Sequence, residues 1–271
     1  MPPRTRRPRT RTYDSAKVRA AVTAQLRQVL DAAAGLSDDQ LARPTRLGDW
    51  TVRHLLVHLA RAVDGVGTLL DLPAPPDREV TLTDWPFVIA GSAGSAGHVD
   101  RSTRAATPAD GPEEPEELLT AAVDRLERLL PGAPDDRLLA VPSGAMLLGD
   151  YLVTRCVELV VHGDDLADAL GTEIPTDRQA LAAATRLFAD ALAARAPGGA
   201  VEVRIPPFAV VQCVEGPRHT RGTPPNVVET DPLTWIRLAT GRTGWDAAVE
   251  AGAVTASGER ADLSDHLPLM R

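Results

Sequence analysis

Glu158 stands in the apolar run of Val157, Leu159, Val160 and Val161, and His162 follows it by four residues. A run of this kind reads as a buried helix, and residues four apart on a helix share one face. An ionised carboxylate in such a setting needs a partner, because leaving it bare away from water costs several kcal/mol. The chain must therefore fold so that a counter-group reaches that face. A divalent cation would serve, and zinc accepts both imidazole nitrogen and carboxylate oxygen at about 2.0–2.2 Å. A third ligand must come from a second helix. His58, amid Leu55, Leu59 and Ala62, is the best candidate. Each piece also has an ordinary reading. A histidine on an apolar helix is commonly a hydrogen-bonded core residue, and a Glu/His pair is commonly a solvated contact.

Composition narrows the setting. Aromatic residues make up 3% of the 271, so aliphatic side chains must build most of the core. A formal net charge of −8 argues against bulk nucleic-acid binding, which wants a basic surface. Cys156 and Cys213 lie far apart and read as reduced and buried rather than as a disulfide framework. No apolar run approaches the roughly 18 residues of a membrane span, and the N-terminus lacks the apolar core of a secretory signal. A cytoplasmic protein is the expectation.

Residues 1–12 are rich in arginine and proline, and the expectation is a disordered basic tail that acts as a solubilising leader. Val18, Val22, Leu26 and Val29 recur at helical spacing and predict a first helix over 15–34 with Asp14 as N-cap. Ser37 to Gln40 has the capping-box form. A second helix is predicted over 51–70, a third over 115–130 and a fourth over 149–170. Four helices with apolar stripes suggest an antiparallel bundle. Residues 71–111, with several prolines and glycines, are predicted to be irregular and to form a lid or binding loop, with Trp85–Ala90 as a short apolar turn or helix. Beyond Gly171 the texture changes. A helix over 177–195, strands near 201–205, 208–214, 226–230 and 254–257, and short helices ending near 239 and 251 predict an α+β half.

At this point the residues resemble a family. Leu47-Gly48-Asp49-Trp50-Thr51-Val52-Arg53-His54-Leu55-Leu56-Val57-His58-Leu59 resembles the first signature of mycothiol-dependent maleylpyruvate isomerase-like proteins, and Val157 to Leu166 is similar to the second. The resemblance implies a DinB-like four-helix bundle with a zinc site, whose ligands here would be His58, Glu158 and His162. Pro206–Cys213, Arg218–Thr230 and Ser257–Asp262 resemble bacterial sterol-carrier-like domains. The expected fold class is thus an α + α/β two-domain chain. Its parts are a disordered tail over 1–12, a DinB-like bundle over 13–172 and a smaller α+β sterol-carrier-like domain over 173–271. His54 stands where the family commonly has an acidic residue. It forms a second i, i+4 pair with His58 and is a rival ligand, although its place in the first helical turn favours a surface role.

Three protein ligands leave a coordination position open, the pattern of a catalytic rather than a structural zinc. A thiol bound there would be deprotonated, and the resemblance implies that this thiol is mycothiol. The expected activity is a metal-dependent isomerase or S-transferase acting on a small electrophile. Asp165, one turn beyond His162, could orient its other ring nitrogen, or it could be a surface aspartate. Arg218, His219 and Arg221, in a Gly/Pro-rich loop with Asn226 and Glu229 nearby, could receive an anionic substrate or cofactor. Ser143 has no convincing His/Asp partner, which discounts a hydrolase triad. The rival function is a carrier of a hydrophobic ligand, with the metal structural or vestigial.

Overall fold

The computed structural model describes residues 11–91, 103, 114–217 and 224–270. Helix α1 spans Ser15–Ala33 and is capped by Asp14, whose side chain accepts the Lys17 N–H. A single turn, α2 (Asp38–Leu41), carries the Ser37/Gln40 capping box. Helix α3 spans Val52–Asp71 and α4 spans Trp85–Gly91. Helix α5 spans Pro115–Leu129 and opens on Glu116 and Glu117, which suit the positive end of the helix dipole. Helix α6 runs over Leu148–Leu170.

These elements lie where their periodicity puts them, and they pack as a ring. α1 lies between α5 and α6, and α3 closes the ring by touching both. Val22, Leu26, Leu55, Leu56, Leu59, Leu119, Leu152 and Leu159 fill the centre. Branched aliphatics make up most of this interior, as the composition required, and Trp85, Met146 and Tyr151 are among the larger side chains buried with them.

One element is absent from the sequence reading. Strands β1 (Leu138–Val141) and β2 (Gly144–Leu147) form an antiparallel hairpin that leads directly into α6. Both are four-residue apolar stretches without polar alternation, so period gives no signal for them. The backbone N–H groups of Glu79 and Val80 donate to Ala145 O at 2.9 and 3.0 Å, which ties the irregular segment after α3 to the hairpin.

In the C-terminal half, α7 spans Arg178–Arg195 with Asp177 as N-cap. Strands β3 (Val201–Ile205), β4 (Ala209–Cys213), β5 (Val227–Thr230) and β6 (Val254–Ser257) form one sheet in the order β4-β3-β5-β6. β3 and β5 run parallel, and the other pairs are antiparallel. Helices α8 (Pro232–Ala239) and α9 (Trp245–Glu250) complete it. Val201, Val203 and Ile205 point inward while Glu202 and Arg204 face out, as the alternation of β3 predicts.

α7 serves both halves. It packs on α1 and α6 of the bundle and on β4 and α8 of the sheet region, so one apolar core runs through the whole molecule. The buried Gln25 of α1 fixes the entry to α7 by accepting the Asp177 N–H at 2.6 Å. Of the expected disordered tail, residues 1–10 lie outside the described residues, but Arg11 is placed. Its guanidinium grips Asp190 of α7 through two hydrogen bonds at 2.8 and 3.0 Å. No helix among the described residues is long and apolar enough to cross a membrane.

Candidate metal centre

His58 sits near the middle of α3, and Glu158 and His162 sit on the face of α6 turned towards it. A short turn before α3 prepares the site. Gly48 adopts a left-handed conformation with φ of 62°, which lets the chain reverse between Leu47 and Trp50. Thr45 N–H donates to Trp50 O at 2.8 Å and closes the turn. Trp50 is thereby laid against His58, with ring centroids 5.2 Å apart.

The Nε2 atoms of His58 and His162 each lie 3.4 Å from Glu158 Oε2. The candidate ligand atoms of the three residues all fall within 4.8 Å of one another. The 3.4 Å separations are long for a charge-assisted hydrogen bond, which prefers about 2.7–2.9 Å. They suit donors converging on a shared ion, since two ligand atoms each ~2.1 Å from a tetrahedral metal stand about 3.4 Å apart. Donor types and spacing therefore fit a divalent metal.

The other Glu158 oxygen, Oε1, faces Arg155 Nη2 at 3.7 Å. Arg155 is itself buried. It lies 4.4 Å over the Tyr151 ring and donates to Ala62 O at 3.2 Å. Burial alone would raise the Glu158 pKa, but His162, His58 and Arg155 outweigh it and hold the carboxylate ionised, well below its ordinary value. The two histidines diverge. Burial pushes His58 below its ordinary value. Burial would do the same to His162, yet Asp165 and Glu158 prevail and its pKa is raised.

Asp165 lies behind His162, fully buried, with Oδ2 2.8 Å from His162 Nδ1. That contact assigns the proton to Nδ1 and leaves the Nε2 lone pair free for a ligand. Arg46, from the turn before α3, and Arg242, from the chain just after α8, both reach the same carboxylate. Burial would raise the Asp165 pKa, but His162 and Arg242 outweigh it and hold the carboxylate ionised, below its ordinary value. Next to it, Asp164 is held by Arg46 Nη2 at 2.6 Å and Arg237 Nε at 2.9 Å.

Residues 22–167 match the mycothiol maleylpyruvate isomerase N-terminal domain. The chain belongs to that family. Residues 177–269 match a second family, described as bacterial SCP ortholog, so the mycothiol maleylpyruvate isomerase-like bundle is followed here by a sterol-carrier-like domain. Two solved structures share the fold. One is of a histidine-to-alanine mutant of the mycothiol-dependent maleylpyruvate isomerase, with 13% identity and a TM-score of 0.58. The other is of the mycothiol-dependent maleylpyruvate isomerase itself, with 14% identity and a TM-score of 0.56. In both, the match covers 92% of this chain and 95% of the other. At such identity the likeness shows the fold. No curated protein matches the chain.

Within this mycothiol maleylpyruvate isomerase-like frame, the other residues singled out from sequence are placed as follows. His54 does not join the cluster. Its Nδ1 accepts the Thr51 N–H at 3.2 Å and lies 2.8 Å from Thr51 Oγ1, so it caps the start of α3. Arg218, His219 and Arg221 lie outside the described residues. Four arginines and a tryptophan around the centre were not legible beforehand: Arg46, Arg155, Arg237, Arg242 and Trp50. The buried Asp164-Asp165 pair signals that cations must arrive. Arginine is so abundant in this chain that spacing gives no means of choosing which.

Proposed function

We propose that this chain is a thiol-dependent isomerase or S-transferase acting on a small electrophile, with mycothiol as the thiol and one divalent metal held by His58, Glu158 and His162. The observation that carries the reading is the convergence of those three ligand atoms from two helices, in a chain whose family is built around mycothiol chemistry. A zinc ion suits two imidazoles and a carboxylate, and when bound it would lower the pKa of a thiol taken at its open position. We further propose the bundle over 13–172 as the metal-binding unit and 173–271 as the sterol-carrier-like unit.

The chain's own residues then have distinct tasks. His58 and His162 present lone pairs, and Asp165 holds the His162 tautomer that makes this possible. Arg155 balances Glu158 on the side away from the histidines. The thiol must come from outside, because Cys156 and Cys213 are both buried, and burial pushes their thiols up to about 12 and about 11. A thiolate that adds to a conjugated electrophile and then departs permits rotation about the former double bond, and one that stays yields an S-conjugate. From sequence alone, Arg218, His219 and Arg221 are proposed to receive an anionic group of substrate or cosubstrate. The hydrophobic-ligand reading gains nothing: the cleft of about 390 Å³ on the C-terminal sheet is lined by Arg204 and Glu229 as well as Pro206, Phe208 and Val210.

Elemental mass spectrometry tests the reading, on protein purified without chelator or histidine tag. Wild type is expected to carry about one metal ion per chain, and His58→Ala, Glu158→Gln and His162→Ala to lose it while keeping their helical content. Consumption of mycothiol by an activated electrophile should disappear in the same variants. A wild-type chain that takes up no metal after incubation with zinc sinks the proposal.

A further inference from the structure

Asp165 is gripped from two directions, and one of them belongs to the C-terminal domain. Arg242 donates through Nε to Oδ1 at 3.2 Å and through Nη2 to Oδ2 at 2.8 Å. Its own position is set by the end of α8. Its backbone N–H donates to Arg237 O at 2.8 Å, and Nη1 donates to Thr240 O at 3.2 Å. Oδ2 is also the atom that receives His162 Nδ1. A chain of direct contacts thus runs from the α8 terminus through Arg242 and Asp165 to the ring of His162.

We propose that Arg242 is a positioning residue that couples docking of the C-terminal domain to metal occupancy, by fixing the Asp165 carboxylate against His162. The inference rests on the metal-site reading above and goes beyond it, because it gives the second domain a role at the first domain's centre. With Arg242 in place, the two oxygens of Asp165 are oriented by a two-point contact, and the imidazole is held with Nε2 towards Glu158. Without it, Arg46 still pulls on Oδ1, and Oδ2 is held only by the His162 contact that it is meant to orient. Partners of this kind typically change metal affinity 10–100-fold when removed. Coupling between two binding equilibria is reciprocal, so a metal that favours the oriented His162 also tightens the seat of α8 by the same factor.

Arg237 provides the internal control. It crosses the same interface, but it ends on Asp164, which touches neither histidine. A residue that merely cements the domains should behave like Arg237. The test measures zinc dissociation constants by chelator competition on the full chain for wild type, Arg242→Met, Arg242→Lys and Arg237→Met. Thermal unfolding and hydrogen exchange of 232–242 are followed with and without zinc. Arg242→Met is expected to weaken zinc binding about 10–100-fold, whereas Arg237→Met changes it less than about twofold, although both lower the melting temperature. Zinc should slow exchange over 232–242 in wild type and not in Arg242→Met. Should Arg242→Met fail to fold, Arg242→Lys keeps the charge without the two-point grip and is expected to show a smaller loss in the same direction. Equal zinc affinity in wild type and the Arg242 variants, or an equal loss in the Arg237 variant, overturns the coupling while leaving the metal site intact. A wild type that binds no zinc overturns both.

Discussion

Glu158 shows how a single side chain is made tolerable in an apolar helix. Its neighbours along α6 are Val157 and Leu159, both fully buried, so water reaches it poorly. Its charge is met by two imidazoles on one oxygen and a guanidinium on the other. The same burial has the opposite consequence for Cys156 two residues earlier, where it prevails, with Asp177, over the nearby Arg155, and the thiol stays neutral. A disulfide reagent at pH 8 is therefore expected to modify neither Cys156 nor Cys213 in the native protein, and both once urea unfolds it. Rapid native labelling of either would show that the chain has a reactive thiol of its own and would weaken the case for an external one. His54 carries a different lesson. Its spacing from His58 matched a ligand pair, yet its place in the first turn of α3 offered it an orphan backbone N–H, and the cap won.

At the scale of elements, the start of α1 is fixed to the turn after α5 by one residue. Arg19 donates to Ala133 O at 2.7 Å and also contacts Leu130 O and Asp135. Burial would raise the Asp135 pKa, but Ser15 and Arg19 outweigh it and hold the carboxylate below its ordinary value. A depressed folded value means that the contact contributes above the unfolded pKa, near 3.9 on the order of model peptides, and is lost as pH falls through the folded value. The urea midpoint of wild type should therefore fall below about pH 4, and Asp135→Asn should start lower at pH 7 and fall less steeply. Asp135 is 44% exposed, so the difference between the two at pH 7 should stay within about 1 kcal/mol. An identical pH profile in both proteins would exclude the contact as a contributor. The helices themselves were legible because their caps and stripes are local: Asp14, Ser37 and Asp177 each bond the first turn they precede. The β1–β2 hairpin was not, because its two strands are apolar on both faces and gain their identity only by pairing.

Across the whole molecule, the boundary that composition draws after Gly171 is not a boundary in the core. α7 packs on both sides, and Ala180, Ala184 and Leu187 belong to the same apolar cluster as Leu26 and Leu166. Cooperative unfolding follows from a shared core of this kind. Single-tryptophan variants that keep Trp50 or Trp85 in the bundle, or Trp235 in the sheet region, are expected to report coincident urea midpoints. Midpoints that separate would mean that the two halves unfold independently. The sequence by itself determined the helical elements, the α+β character of the second half, and the trio His58, Glu158 and His162 whose side chains converge. Apolar period, capping chemistry and the discomfort of a carboxylate among valines are all properties of neighbours along the chain. Only the tertiary structure decided which arginines answer Asp164 and Asp165, that Trp50 lies on His58, and that the C-terminal domain reaches the back of His162. Those are contacts between residues 77 to 119 positions apart for the Asp165 pairs, and a long side chain with many equivalent copies in the sequence carries no mark of its distant partner.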